Sequence, residues 1–369
     1  MHEIRKNKHN KTIYKIPLGY KMFCKIINRG KSRKLYLYSL KKKEYTKVKG
    51  LTSVDQKGQH MRWNSLRDEW VFYSPLRQSR TFLPKENNCP LCASTKDGII
   101  TDIPVTEYEI AVFDNRFSAL SIVPKDIFNI RNISTEQSYG KCEVISYTSD
   151  HKASFKSLEI KQISLLMKVW SDRYSNLMKD QKINYVLPFE NKGEEIGVTL
   201  EHPHGQIYAM PTIPEIIKRQ AINQKEKNII NNLVKSVSDD LKISNDNNAI
   251  SFVPPYARYP YEIWVAPFKK VDCIKQLSDE EINSISNQLV SSIKRLDLLF
   301  NEPMPYTMAV YFPPRGFEGN FHHYIALQPM RRDKNKLKFL AGIEQISGLM
   351  LSDIIPEDAA SKLKSITID

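Results

Sequence analysis

No apolar run in this 369-residue chain reaches the roughly 18 residues that a membrane helix requires. The N-terminus is basic, with no hydrophobic signal core behind it. Cysteine is scarce: five residues, an odd number, at positions 24, 89, 92, 142 and 273. A disulfide framework is thereby excluded, and a soluble, reducing, cytoplasmic setting is expected. Acidic residues are almost missing from the first fifty positions, two against sixteen Lys and Arg. That stretch accounts for the whole formal net charge of +14, because positions 51–369 hold 39 basic and 39 acidic residues. Nucleic-acid binding by the body of the protein is therefore not expected, and only the basic leader could support it.

What is present is enough for a substantial core, with 41% apolar residues in one large or two ordinary domains. Residues 1–55 are Lys-rich with short β-forming runs such as Lys34-Leu35-Tyr36-Leu37-Tyr38. Three readings of this segment stay open: a poorly ordered tail or small appended hairpin, a stretch ahead of a true start at Met61, or an anchor for RNA or another anionic surface. From Trp63 onward the chain reads as short strands punctuated by turns, Trp70 to Tyr73 being one. Between Leu158 and Lys179 the apolar positions Ile160, Ile163, Leu166, Met167, Trp170, Tyr174 and Leu177 follow the helical period. Tyr185 to Phe189 is a strand. A lysine- and asparagine-rich stretch, 225–248, holds a helix and an exposed loop. Glu262 to Ala266 is a strand, and Ser278-Asp279-Glu280-Glu281 is a capping box that opens a helix to about Phe300. Tyr306 to Phe312 and His323 to Leu327 supply further strands. The order strand, helix, strand, His-strand thus occurs twice.

The most informative stretch is His202-Pro203-His204-Gly205-Gln206, followed by Ile207-Tyr208-Ala209. Strand alternation puts His204 and Gln206 on one side. An imidazole whose far nitrogen is held by a backbone carbonyl can attack phosphorus, and an amide beside it can hydrogen-bond the phosphoryl oxygens as charge redistributes. Gly205 leaves room for the backbone to approach a phosphate. A neutral imidazole needs no deprotonation, which fits the lack of an Asp/Glu dyad near the motif.

The pentapeptide resembles the active-site signature of the galactose-1-phosphate uridylyltransferase family, within the histidine-triad-like nucleotidyltransferases. The likeness extends in chain order through Arg62-Trp63-Asn64 and Glu69-Trp70-Val71, Cys89-Pro90-Leu91-Cys92, Phe113 to Leu120, Ser149-Asp150-His151, Phe189 to Gly193, Lys338-Phe339 and Gly342 to Glu344. It implies an α+β fold of two related half-barrel modules of mostly antiparallel sheet with packed helices. The domain plan is a basic extension (1–55), a catalytic N-terminal module (56–215), a polar helical connector (216–250) and a C-terminal module (251–369) that helps bind the sugar phosphate. The implied reaction is uridylyl transfer between UDP-glucose and galactose 1-phosphate, with His204 as nucleophile and Gln206 on the phosphoryl oxygens. Asn191 and Thr199 would contact the nucleotide phosphates, and Arg62 and Asn115 the uridine side. Lys338, Phe339 and Glu344 would surround the sugar 1-phosphate. A homodimer is implied.

Cys89-x-x-Cys92 has the spacing of a zinc knuckle, which by itself lacks two ligands. The resemblance nominates His151 and His202, making one structural Zn2+ site with no open position. A second metal site found in some relatives is absent by this reading: its positions hold Gln220, Tyr311, His323 and Ile325, so His323 is expected to be packed or hydrogen-bonded. Arg116 stands where many relatives carry an acid, and Met350 where bacterial relatives carry a glutamine, so sugar selectivity could differ. Two alternatives stay open: nucleotide phosphorolysis at the same His204, and a non-catalytic RNA-associated protein acting through the basic leader. Deleting the leader is expected to leave transfer within a few-fold of the intact protein.

Overall fold

Leucines and tyrosines in alternation favour an extended strand with two distinct faces, and Leu35-Tyr36-Leu37-Tyr38 has that pattern. The computed structural model describes residues 12–15 (backbone only), 20–29, 33–49, 59–75, 78, 88–95, 100–123, 127 and 130–368. They form two units, one of Met1–Ser154, Lys168–Pro188 and Thr199–Gln220, the other of Phe155–Met167, Phe189–Val198 and Ala221–Asp369.

The strands of the first unit are β1 (Thr12–Lys15), β2 (Phe23–Asn28), β3 (Lys34–Ser39), β4 (His60–Asn64), β5 (Glu69–Tyr73), β6 (Ile110–Asp114), β7 (Thr135–Gln137), β8 (Lys141–Ser146), the first half of β9 (Tyr185–Lys192) and β10 (His204–Met210). Its main sheet runs β1-β2-β3-β6-β8-β10-β9, and β5-β4-β7 form a separate small sheet. Helix α1 (Ile160–Leu177) carries the predicted apolar stripe, with Ile163, Leu166, Met167, Trp170, Tyr174 and Leu177 all buried. Its C-terminal half is fastened to the sheet by a buried Arg173–Glu143 pair, Nε donating to Oε2 at 2.8 Å. Gly140, at φ +137°, lies so close to β10 that a Cβ would strike the Ala209 carbonyl.

Of the readings of the leader, the described residues fit the appended hairpin and not the tail: β2 and β3 pair antiparallel and β3 joins β6. Its strand β3 pairs in register with β6, Leu35 opposite Phe113 and Leu37 opposite Ala111. Leu35, Leu37 and Tyr38 are fully buried. The Tyr38 hydroxyl donates to Asp172 at 2.6 Å, and the Arg173 guanidinium lies 4.0 Å from the Tyr36 ring centroid. Ile27, Leu35 and Leu37 share one core cluster with Cys89, Leu91, Tyr108 and Phe113. Residues 1–11, 16–19, 30–32 and 50–58 lie outside the described residues. The reason composition misled is that most of the counted charge lies off the strands, β2 and β3 carrying one lysine each among apolar residues.

The second unit holds the other half of β9, then β11 (Lys242–Asn245), β12 (Ala249–Phe252), β13 (Ile263–Pro267), β14 (Tyr306–Tyr311) and β15 (Tyr324–Pro329), in the order β9-β14-β15-β13-β12-β11. Helices α2 (Glu215–Lys227), α3 (Ile229–Ser236), α4 (Asp279–Leu299), α5 (Gly342–Ser347) and α6 (Pro356–Ser365) complete the chain. Helix α4 begins at the expected capping box: Glu281 N donates to Ser278 Oγ at 3.1 Å and Ser278 N to Glu281 Oε2 at 2.7 Å. The fold is α+β with mostly antiparallel sheet, as expected. The repeated strand, helix, strand, His-strand order is visible as topology: the His-led strand is central in both β8-β10-β9 and β13-β15-β14. His323, just before β15, is fully buried, stacks on Phe312 at 4.9 Å, and donates from Nδ1 to the Tyr311 carbonyl at 2.9 Å.

Two outcomes are expected. Leu37→Ala should cost about 2–5 kcal/mol in denaturant unfolding, because β3 is interior sheet; an unchanged midpoint would restore the tail reading. Burial pushes His322 and His323 down to about 4. The unfolded imidazoles bind protons near pH 6.5 and the folded ones do not, so stability should fall as pH drops from about 6.5 to 4 and their contribution should level below that. His323→Phe should flatten that slope in thermal melts taken across this range.

Candidate active site and metal centre

Strand β10 pairs with β8 so that His204 faces Ser146 and Gln206 faces Val144. Along β10 the burial alternates, leaving His204 and Gln206 half-buried on one face while Gly205, Ile207 and Ala209 are buried on the other. His204 Nδ1 lies 2.8 Å from the His202 carbonyl. A carbonyl only accepts, so Nδ1 carries the proton and Nε2 carries the lone pair. Burial lowers the imidazole pKa, which keeps it neutral.

The orientation of Gln206 follows from a short relay. The Phe117 N–H donates to Asn115 Oδ1 at 2.8 Å, which fixes the Asn115 amide. Its Nδ2 then donates to Gln206 Oε1 at 3.3 Å. The Gln206 NH2 group is thereby left to donate elsewhere. Asn115 is itself anchored where its N–H donates to the Cys142 carbonyl at 2.8 Å. A cleft of about 90 Å³ is lined on its polar side by His204, Gln206, Asn115, Thr199, Asp102 and Arg116, with Pro90, Leu91, Phe113, Phe117, Val144 and Leu200 as its apolar wall. An apolar slot with a few fixed polar groups suits a flat base joined to a phosphate chain.

Behind the strand, Cys89, Cys92, His151 and His202 present ligand atoms that all lie within 4.8 Å of one another. Cys92 Sγ is 3.4 Å from His151 Nδ1 and 3.5 Å from His202 Nδ1. Ligands of a tetrahedral ion at roughly 2.3 Å (S) and 2.0–2.1 Å (N) stand about 3.5 Å apart, so the set fits such a metal. The Cys89 thiol is held well below the usual range, first by the Cys92 thiol and then by His202, against the effect of burial. His202 Nε2 donates to the Thr148 carbonyl at 2.8 Å, which leaves Nδ1 as the ligand atom. Tyr108, 3.2 Å from that Nε2, donates to the Leu91 carbonyl at 2.6 Å and braces the ring and the Cys-x-x-Cys turn together. No sequence pattern marks Tyr108.

Thr199, Asn115, His204 and Gln206 thus meet in one cleft, and the four metal-site residues meet beside it. Arg62 is on β4, its Nε 3.0 Å from His60 Nε2 and its guanidinium 4.5 Å from the Tyr73 ring centroid, and it is not among the described residues lining the cleft. Asn191 belongs to the second unit, on β9 opposite Thr307. There Lys338 Nζ lies 2.8 Å from both Glu344 oxygens, with both side chains buried. Glu344 also accepts from Ala341 N at 2.6 Å and Leu351 N at 2.9 Å, and Lys338 holds it well below the usual carboxylate range. Phe339 is exposed. Sequence reading missed the Asp102 carboxylate in the cleft wall, which only its proximity to Arg116 reveals.

A strand-borne histidine with a committed Nδ1, a neighbouring amide donor and a phosphate-sized cleft define a nucleotidyl-transferring class of site. Two family models match in tandem from residue 50 onward: the N-terminal domain of galactose-1-phosphate uridyl transferase at residues 50–214 and its C-terminal domain at 219–369. The Thermotoga maritima galactose-1-phosphate uridylyltransferase is 33% identical over 84% of this chain and 99% of its own length. The Streptomyces lividans protein of the same name is 31% identical over 78% and 82%. A solved uridylyltransferase structure superposes with a TM-score of 0.74 at 25% identity, covering 83% of this chain and 98% of that one. The chain belongs to the galactose-1-phosphate uridyl transferase family.

Cys89→Ser should lower bound metal and thermal stability before it lowers the chemical step, since structural sites of this kind contribute on the order of 10 kcal/mol of binding. Elemental analysis alongside a melting curve checks this, and full metal content in a Cys89/Cys92 double variant would refute the ligand set.

Proposed function

We propose that the chain transfers a uridylyl group between UDP-glucose and galactose 1-phosphate, in galactose metabolism, by ping-pong chemistry through a uridylyl-His204 intermediate. The observation that carries this reading is the His204 Nδ1 bond to the His202 carbonyl, which commits the proton and leaves Nε2 as the nucleophile. The Nε2 lone pair forms a bond to the α-phosphorus while the bond to the bridging oxygen breaks, and glucose 1-phosphate leaves as an anion. The galactose 1-phosphate oxygen then attacks the same phosphorus and returns Nε2 to the neutral ring. Gln206 donates to the nonbridging oxygens, its amide set by Asn115. Thr199, in the same cleft, is suited to the phosphate chain.

The Cys2His2 group is read as a structural Zn2+ site that braces residue 202 and so positions residue 204. Asn191 and Arg62 are assigned to the nucleotide on the family pattern. So are Lys338, Phe339 and Glu344 to the sugar phosphate, for which Lys338 would exchange its present Glu344 partner for the anion. A homodimer in the cytoplasm completes the reading. The support for a second copy is the run of exposed apolar side chains at Phe339, Leu340, Ile343, Ile346, Leu349, Leu351 and Ile355, more than a lone surface normally leaves in water.

Incubation with labelled UDP-glucose should yield an acid-labile uridylyl-protein. His204→Ala should abolish it and lower turnover by a factor on the order of 10⁶, and Gln206→Ala should lower kcat by about 10²–10³. An adduct persisting in His204→Ala would sink the nucleophile. Discharge of the adduct by inorganic phosphate as readily as by galactose 1-phosphate would replace the acceptor and favour phosphorolysis.

A further inference from the structure

Two segments of the second unit that the uridylyl-transfer reading assigns to different phosphates are joined by one guanidinium. The first is the turn at residues 193–197, with Asn191 two residues before it and Thr199 two beyond. Gly193 (φ +108°) and Gly197 (φ +79°) bound it, and Ile196 N and Val198 N both donate to the Gly193 carbonyl, at 3.4 and 3.3 Å. A Cβ at position 193 would come within 2.7 Å of Pro305 Cβ and of Glu195 Oε2, so the turn packs on the residue before β14 and its own Glu195 carboxylate lies over it. The second segment is the hairpin of β16 (Arg331–Asp333) and β17 (Lys336–Leu337), which leads into Lys338. Arg331 pairs with Leu337, and Lys338 N donates to the Met330 carbonyl at 2.6 Å, so Lys338 is placed from the Arg331 end of the hairpin. Both segments meet at Pro305, whose carbonyl accepts from Met330 N at 2.8 Å.

Arg331 closes this junction, with a side chain only 12% exposed. Its Nη2 donates to Glu195 Oε1 at 3.3 Å, Nη1 donates to the Lys334 carbonyl at 2.6 Å, and Nη1 lies 3.4 Å from Glu302 Oε2. We propose that Arg331 is a positioning residue that couples the 193–197 turn to the segment bearing Lys338, and so sets the nucleotide-phosphate and the sugar-phosphate contacts together. This rests on the uridylyl-transfer reading. One planar fork reaches a side chain of the turn with one nitrogen and the hairpin backbone with the other, so neither segment moves without breaking a charge-assisted hydrogen bond. The charges argue the same way. Glu195 and Glu302 share Arg331, and without it two carboxylates would repel each other beside segments that must receive anionic substrates. Ion pairs open to solvent on the carboxylate side add little to global stability, about 0–1 kcal/mol, so what Arg331 supplies is local order rather than folding.

The test follows the two half-reactions of the full chain separately: formation of the uridylyl-protein against UDP-glucose concentration, and its discharge against galactose 1-phosphate concentration. Metal content and melting temperature are recorded for each variant. Arg331→Gln should raise the half-saturating concentration in both steps by roughly 3–30-fold, the effect of losing a partly exposed charged hydrogen bond, while the saturated rates and metal content are retained. Glu195→Gln should raise it for UDP-glucose by less and leave galactose 1-phosphate nearly unchanged, because the hairpin keeps its bond from Arg331 to Lys334. Combining Glu195→Arg with Arg331→Glu should recover the UDP-glucose step and not the galactose 1-phosphate step, since a carboxylate cannot donate to the Lys334 carbonyl. Unchanged half-saturation in Arg331→Gln overturns the proposal, and a shift in one step only overturns the coupling. So does a fall in the saturated rates that tracks lost metal and a lowered melting temperature, as a merely structural role requires. If Arg331→Gln does not fold, Glu195→Gln decides, and an unmoved UDP-glucose step sinks the idea. A wild type that forms no uridylyl-protein overturns the uridylyl reading instead. Amide exchange at Ile196, Gly197 and Val198 then tests the positioning by itself: it should be faster in Arg331→Gln, and equal exchange in the two proteins overturns it.

Discussion

Everything at the active site depends on one residue that faces two ways. The His202 ring stands in the Cys2His2 group, with Nε2 tied to the Thr148 carbonyl, while its own carbonyl takes the Nδ1 proton of His204. The geometry of the Cys2His2 group and the tautomer of His204 are therefore set by the same short stretch of backbone. Proline at position 203 restricts that stretch further, since its φ is fixed. Order imposed on the His202 ring is in this way passed to His204 two residues away, by removing freedom from the peptide between them.

The second constraint is the register of β3 against β6. It buries Leu35 and Leu37 in the same cluster as Cys89 and Leu91, so the leader packs against the Cys-x-x-Cys turn. The same register brings Arg33 and Lys34 onto Asp114, at the head of the turn that holds Asn115 and Arg116. A segment whose composition resembles a solvated tail is thus continuous with the site by packing and by hydrogen bonds.

The two His-led strands share a topology and differ in chemistry. In both halves the strand following a histidine pair is central, between the strand before the helix and the strand after it. In the first half the ring reaches a cleft. In the second, His323 donates to the Tyr311 carbonyl and stacks on Phe312 with no exposed surface. The scaffold thus supports a histidine of this kind equally well as a cleft-lining side chain or as a buried packing element, and the surroundings decide which.

Much of the fold and the chemistry was legible in the residues because it is local. Helical period located α1, the Ser278–Glu281 box located the start of α4, and strand alternation put His204 and Gln206 on one face. The Cys-x-x-Cys turn announced half of a metal site for the same reason. What stayed hidden depends on residues far apart in sequence. Leucines 35 and 37 are interior only because β6 pairs with them, Lys338 and Glu344 neutralise each other only because α5 folds back, and Asp102 lies between Arg29 and Arg116 only because three distant segments converge. Sequence by itself determined which side chains could do the chemistry and on which face of a strand they stand, because those properties follow from residue type and a two-residue period. Tertiary structure alone decided which of those side chains are free to meet a ligand, because burial and ion pairing depend on what the rest of the chain brings alongside.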